Sequence, residues 1–183
     1  MPDHSYEDVM KQINELASPS TPSGRFEPNL RDSSSYAAYV VEAFSQTMLE
    51  AAVSASDLRY LKDPNGLIMI RVGKDDHFSL EMWLASEGEQ NSILAIRTVS
   101  DRSFPRSQLG RLLMLCNQWN RESRWPTAKV DFEDNSPRVY IGLEHHVSLN
   151  SGAHTQLVTE IVRCIGFGSY AFWDQLLDQL PPF

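Results

Sequence analysis

From Phe78 to Leu84 the apolar residues fall at every second position, with Phe78, Leu80, Met82 and Leu84 on one side and Ser79, Glu81 and Trp83 on the other. The period then changes. Leu109, Leu112, Leu113, Cys116 and Trp119 recur at i, i+3, i+4, i+7 and i+10. After that the period of two returns, with Ala128, Val130 and Phe132, then Val139, Ile141 and Leu143, each set alternating with polar residues. A period of two belongs to a strand with one buried face, and a period near 3.6 to a helix with one buried stripe. A chain that switches between them in so short a span must put sheet and helix on a common core, which confines it to the α+β class.

The remaining elements fill in this frame. Residues 58–62 and 67–72 flank Asp63-Pro64-Asn65-Gly66, a turn suited to a hairpin. Residues 93–99 form a strand after the polar loop 87–91, and the short connections favour an antiparallel meander. Ser103 or Phe104 caps the middle helix with Pro105 in its first turn. Trp125-Pro126 forces the exit after Arg121, because a residue before proline avoids the helical region. A closing helix runs from near Gly152 toward Leu180, carrying Leu157, Val158, Ile161, Cys164, Ile165, Phe172 and Leu176. Gly166 and Gly168 weaken its middle, which calls for a bend or a close helix contact. Ser45 caps a helix at 46–53; Tyr39, Val40 and Val41 suit a strand equally well, but an earlier helical start near Tyr36 is the favoured reading. The expectation is an antiparallel sheet of about six strands with helices on one face.

The N-terminal residues read differently. Ser5 is a candidate N-cap with Asp8 three positions on, and Tyr6, Val9, Met10, Ile13 and Leu16 recur at helical spacing. A helix this short is marginal alone in water, so it must dock on its own domain, a second subunit or a partner. Residues 18–35 hold three prolines, one glycine and six serines, the composition of a linker. The expected organisation is therefore an amphipathic helix at 1–17, a linker at 18–35 and an α+β domain at 36–183.

Several function classes are disfavoured. No stretch approaches the roughly 20 apolar residues of a membrane span, and the polar start lacks a secretory pattern; a cytoplasmic protein without membrane contact is expected. The net charge is −8, from 24 acidic and 16 basic residues. Arg97, Arg102, Arg106, Arg111, Arg121 and Arg124 are interrupted by acids and fall on more than one element, so no nucleic-acid partner is expected. Cys116 and Cys164 lie outside any CxxC setting and read as buried free thiols. Nucleophile-elbow, phosphate-loop and zinc-protease motifs are missing; Gly166-Phe167-Gly168 reads as a packing feature. The chain is expected not to be an enzyme and to use no cofactor. His145, His146 and His154 beside Glu144 invite a metal reading, but neighbours on a strand point to opposite faces, so no metal site is expected.

The aromatic residues suggest a binding surface. Trp83 and Tyr140 fall on the polar sides of their strands, where rim packing and a protein interface are both open. Phe172 and Trp173 are adjacent on the closing helix, so one of them should face beyond the core. With Tyr6, Val9, Met10, Ile13 and Leu16 they form the candidate protein-binding surface.

The stretch 112–130, which includes Asn117, Trp119, Asn120, Trp125 and Pro126, resembles the middle of a YbjN-type domain. That bacterial family has an Asn-x-x-Asn turn closing a leucine-rich helix, followed by a proline-led strand. The order of elements fits over residues 44–177. The resemblance implies a fold similar to the chaperones of type III secretion, often paired as homodimers, in proteins described as sensory-transduction or stress regulators. It brings no catalytic residue, cofactor or ligand. Read from the residues alone, Asn117 and Asn120 satisfy backbone groups where the helix ends. The leading expectation is a non-enzymatic regulator or chaperone-like adaptor that binds an unidentified protein. The alternative is a small-molecule or metal-responsive regulatory domain.

Overall fold

The computed structural model describes residues 40–56, 58–72, 78–132 and 136–180. Their elements run α1 (Gln46–Ser54), β1 (Tyr60–Lys62), β2 (Ile68–Val72), β3 (Leu80–Glu87), β4 (Ile93–Ser100), β5 (Phe104–Pro105), α2 (Leu109–Glu122), β6 (Thr127–Asp131), β7 (Arg138–Ser148) and α3 (Thr155–Asp178). Short 3-10 turns lie at Glu89–Asn91 and Arg106–Gln108. The helix expected at 5–17, the linker at 18–35 and the start of the domain before Val40 lie outside the described residues.

All strand pairs are antiparallel. The sheet order is β1-β2-β3-β4-β7-β5, with β6 also paired to β7. The alternation in the sequence decides which side is covered. Ile68, Ile70, Leu80, Met82, Leu84, Leu94, Ile96, Val139, Ile141 and Leu143 are all buried, and their faces meet the helices. Two hydrophobic clusters result. One joins α1 and the first half of α3 to β2, β3 and β4; the other joins α2 and the second half of α3 to β5, β6 and β7. A buried hydrogen bond from Thr98 Oγ1 to Ser169 Oγ, 3.0 Å long, ties β4 to α3.

Local chemistry explains the element ends. Ser45 Oγ accepts the Met48 amide at 3.2 Å and caps α1. Residues 40–45 are not helical, contrary to the favoured earlier start of α1, because Glu42 bridges Ala153 through backbone bonds of 2.9 and 2.8 Å. In the β1–β2 turn Asp63 Oδ1 accepts the Asn65 and Leu67 amides, both at 2.8 Å. Gly66 takes a φ of 90° there, a conformation that favours glycine.

Three sequence expectations need correction. The residues read as a helix cap form the short strand β5: Phe104 pairs with Val139, and its ring stacks on Trp173 at 6.2 Å. Pro105 is extended at φ −59°, ψ 141°, so α2 begins only at Leu109. On α2 the buried stripe is Leu112, Leu115 and Cys116, while Leu113 is exposed. The closing helix runs unbroken through both glycines. Gly168 serves a close approach, but to a loop: a Cβ there would stand 2.9 Å from Pro126 Cδ and 3.4 Å from the Trp125 carbonyl. A Cβ on Gly166 would meet only the end of Met82, at 3.8 Å.

The two glycines should therefore respond oppositely to alanine. Gly168→Ala forces the Trp125–Pro126 loop outward and should cost about 1–3 kcal/mol, as overpacking does. Gly166→Ala gains helix propensity and should be neutral or more stable by up to about 1 kcal/mol. Urea unfolding midpoints of the two variants measure the contrast.

Candidate functional site

The site begins where two strands part. β6 pairs with β7 only as far as Thr127 opposite Glu144, whereas β4 stays paired to Ser148. Among the described residues, His145–Ser148 thus have a sheet neighbour on one side only. The end of α2 holds β6 at this point. The Asn120 amide donates to the Ala128 carbonyl at 3.0 Å and accepts the Ala128 N–H at 2.8 Å. Trp119 Nε1 donates to the Pro126 carbonyl at 2.8 Å. The Trp125–Pro126 peptide is cis, and Pro126 is buried against Gly168.

This corner carries Trp125 over the unpaired end of β7. Its ring lies 5.7 Å from that of His145, and its Nε1 donates to Cys164 Sγ at 3.2 Å. Val147, Ile161 and Ile165 complete a cleft of about 310 Å³, with Glu160 on its rim. Leu157, 39 % exposed, lies one helical turn before Ile161. Leu157, Ile161, Cys164 and Gly168 follow at i, i+4, i+7 and i+11 along α3, a row about 16 Å long at 1.5 Å per residue, and the cleft lies against its Ile161–Cys164 part.

The groove is apolar and weakly charged. Burial, and then the charge of His146, hold the His145 imidazole below its ordinary range. Its polar handles are the Trp125 indole, the His145 ring and an exposed thiol. That assembly suits an apolar segment with one or two hydrogen-bonding groups.

The face of the sheet that no described helix covers has another character. Met69, Trp83, Arg97 and Glu144 stand in register across four strands. Arg97 grips Glu87 through two bonds of 2.7 and 3.2 Å and lies 4.0 Å from Glu144, which also pairs with Lys129. Arg71 meets Glu81 at 2.7 Å. The Lys129 ammonium holds Glu144 below the usual carboxylate range, and Glu87 raises the Arg97 guanidinium.

The expected site residues are thus scattered. Trp83 is half-buried and Tyr140 exposed on the uncovered face. Phe172 and Trp173 are both buried, contrary to the expectation that one faces outward. The reason is the wide arc of α3 that sheet and helices enclose: Trp173 lies between Phe78 and Phe104, and Phe172 meets Trp119 edge-on at 5.4 Å. Tyr6, Val9, Met10, Ile13 and Leu16 lie outside the described residues. Asn120 bonds the start of β6, while Asn117 is exposed. His154 caps α3, its Nδ1 accepting the Leu157 amide at 3.2 Å. Cys116 is buried, its thiol pushed up to about 11 by burial, but Cys164 is exposed rather than buried. The sequence reading missed the groove itself. Its signal was the second apolar stripe beside the core stripe of Val158, Val162 and Ile165.

His145 gives this site a pH signature. Its proton is bound more weakly folded than unfolded, so its contribution is intact above its ordinary 6.5. Stability should fall as pH drops below that value, because the unfolded chain takes up the proton first. His145→Gln should remove that part of the slope; urea midpoints between about pH 7.5 and 5.5 measure it.

Comparison with known proteins now adds identity to geometry. The model of the family YbjN, described as "Putative bacterial sensory transduction regulator", matches residues 45–166, more than half of the chain. The crystal structure of YbjN from E. coli, titled "a putative transcription regulator", has a TM-score of 0.60 at 12% identity, covering 78% of this chain and 100% of that one. That likeness shows a shared fold. No curated protein matches the chain. Among the described residues no helix is long and apolar enough to cross a membrane. The match spans α1 through the first half of α3 and takes in the Asn120 corner and most of the groove: this chain belongs to the YbjN family.

Proposed function

We propose that this protein is a regulator that acts without catalysis, by taking an apolar segment of another protein into the groove along α3. One observation carries the reading: Trp125, Val147, Ile161, Cys164 and Ile165 form an apolar cleft beside a strand end with no second neighbour among the described residues, and Leu157 is exposed one helical turn away on α3. Such a groove offers an incoming helix or strand both apolar area and backbone partners. The family description as a regulator fits this use. A second reading, a small apolar ligand in the cleft, is favoured by its volume of about 310 Å³, at the lower end of the usual range for ligand pockets.

Affinity capture from bacterial lysate, compared across single variants, tests the proposal. Leu157→Glu and Trp125→Ala should abolish capture of the same protein, while Trp83→Ala on the opposite face leaves it intact. The reverse pattern would move the binding surface to the uncovered sheet and overturn the assignment.

A further inference from the structure

We infer that the other flank of α3 carries a separate binding site, a cavity that takes a small apolar molecule ending in a carboxylate.

The cavity lies between α3 and the end of α1 and has a volume of about 390 Å³, within the usual range for small-molecule sites. α3 supplies one wall through Val162, Arg163, Gly166 and Phe167. Val162 and Gly166 are one turn apart, as are Arg163 and Phe167, so they form neighbouring rows on the helix. Ala55, Ser56 and Leu58 make the facing wall, and Met82 from β3 closes the floor. Among the described residues, the linings of this cavity and of the Trp125 cleft share no member.

Gly166 is the first reason to read the cavity as a site. Glycine is the poorest helix former after proline, yet this one lies inside α3 without a positive φ. Packing does not demand it either, because an added Cβ would meet only the end of Met82, at 3.8 Å. Gly168 differs, since a Cβ there would stand 2.9 Å from Pro126. The missing side chain at 166 instead leaves the cavity open down to Met82.

Charge sets the class of ligand. Arg163 is the one ionisable side chain among the described lining residues. Its ion pair with Glu160 is 4.0 Å long and exposed on both sides, a kind that contributes little. The guanidinium is therefore free to turn to a bound anion. The end of α1 does not oppose this. The Ala51 carbonyl accepts the Ala55 amide at 3.0 Å, and that of Ala52 accepts the Thr159 hydroxyl at 3.2 Å. The Val53 carbonyl accepts the Ser56 hydroxyl and amide, at 2.7 and 3.1 Å. With these carbonyls engaged, the negative end of the helix is muted. Leu58 and Phe167, both exposed, would be covered by the apolar body of the ligand, and the Met82 thioether adapts to its shape.

Octanoate and octanol, the same chain with and without the charge, are the probes, titrated calorimetrically into the full-length protein. Octanoate should bind about tenfold more tightly, as one charge-assisted hydrogen bond provides. Arg163→Gln should erase that preference and leave octanol binding as it was. Gly166→Leu fills the cavity and should weaken both probes at least about tenfold; its urea midpoint checks that the fold survives, and Arg163→Gln decides alone if it does not. Equal affinity for the two probes would overturn the inference. So would octanoate binding that survives in folded Gly166→Leu, or that is lost in Trp125→Ala and thus belongs to the other cleft. A lack of saturation in the millimolar range overturns it too, and a fall in the mass of Gly166→Leu by light scattering would then assign the cavity to a contact between copies.

Discussion

One helix holds this fold together. α3 contributes Val158, Val162 and Ile165 to one hydrophobic cluster and Phe172, Trp173 and Leu176 to the other. Without it the sheet would divide into a part covered by α1 and a part covered by α2. Each fully buried side chain of this size contributes about 1.5–3 kcal/mol, so both halves depend on the same residues. The Thr98–Ser169 bond at the boundary between the clusters fixes the helix on the sheet with a directional contact. The cleft lies along the edge of the α3 face left outside both clusters.

The pattern that marks the family is an architectural device. Asn120 satisfies both backbone groups of Ala128, and Trp119 satisfies the Pro126 carbonyl. These bonds set the residue at which β6 leaves β7. They also swing Trp125 across the vacated edge, where its indole meets Cys164. A group left without partners at such an edge would carry a desolvation cost of about 1–3 kcal/mol. Function is then one step removed from the motif, in the groove that the corner creates.

Legibility in the sequence followed the range of the interactions. The buried faces of β3 and β7 were readable because alternation is a local signal, and Leu80, Met82, Leu84, Val139, Ile141 and Leu143 all turned inward. The exchange of Leu113 for Leu115 on α2, and the joint burial of Phe172 and Trp173, depend on how much of a helix its neighbours enclose. Spacing alone does not contain that width. β5 exists because Phe104 has Val139 and Trp173 to meet, both distant in sequence. The groove was the least legible feature, since Trp125, His145 and Cys164 come from a loop, a strand and a helix. Each had a separate plausible reading: a family signature, a metal ligand and a core thiol.

The two exposed surfaces differ in what binding would cost. On the sheet face that no described helix covers, Glu87, Arg97, Glu144 and Lys129 form a chain of ion pairs. A partner lying there must strip water from those charges, and the desolvation of paired ions offsets much of what the contact gains. Trp83 sits within that lattice, so its aromatic surface is not available separately from the charges around it. In the α3 groove the walls are apolar, His145 is held toward its neutral form, and Glu160 stands at the rim. Covering it removes chiefly apolar area from water, at about 25 cal/mol per Å². For equal areas the groove is the better docking surface, even though the opposite sheet face carries the more conspicuous aromatic residues.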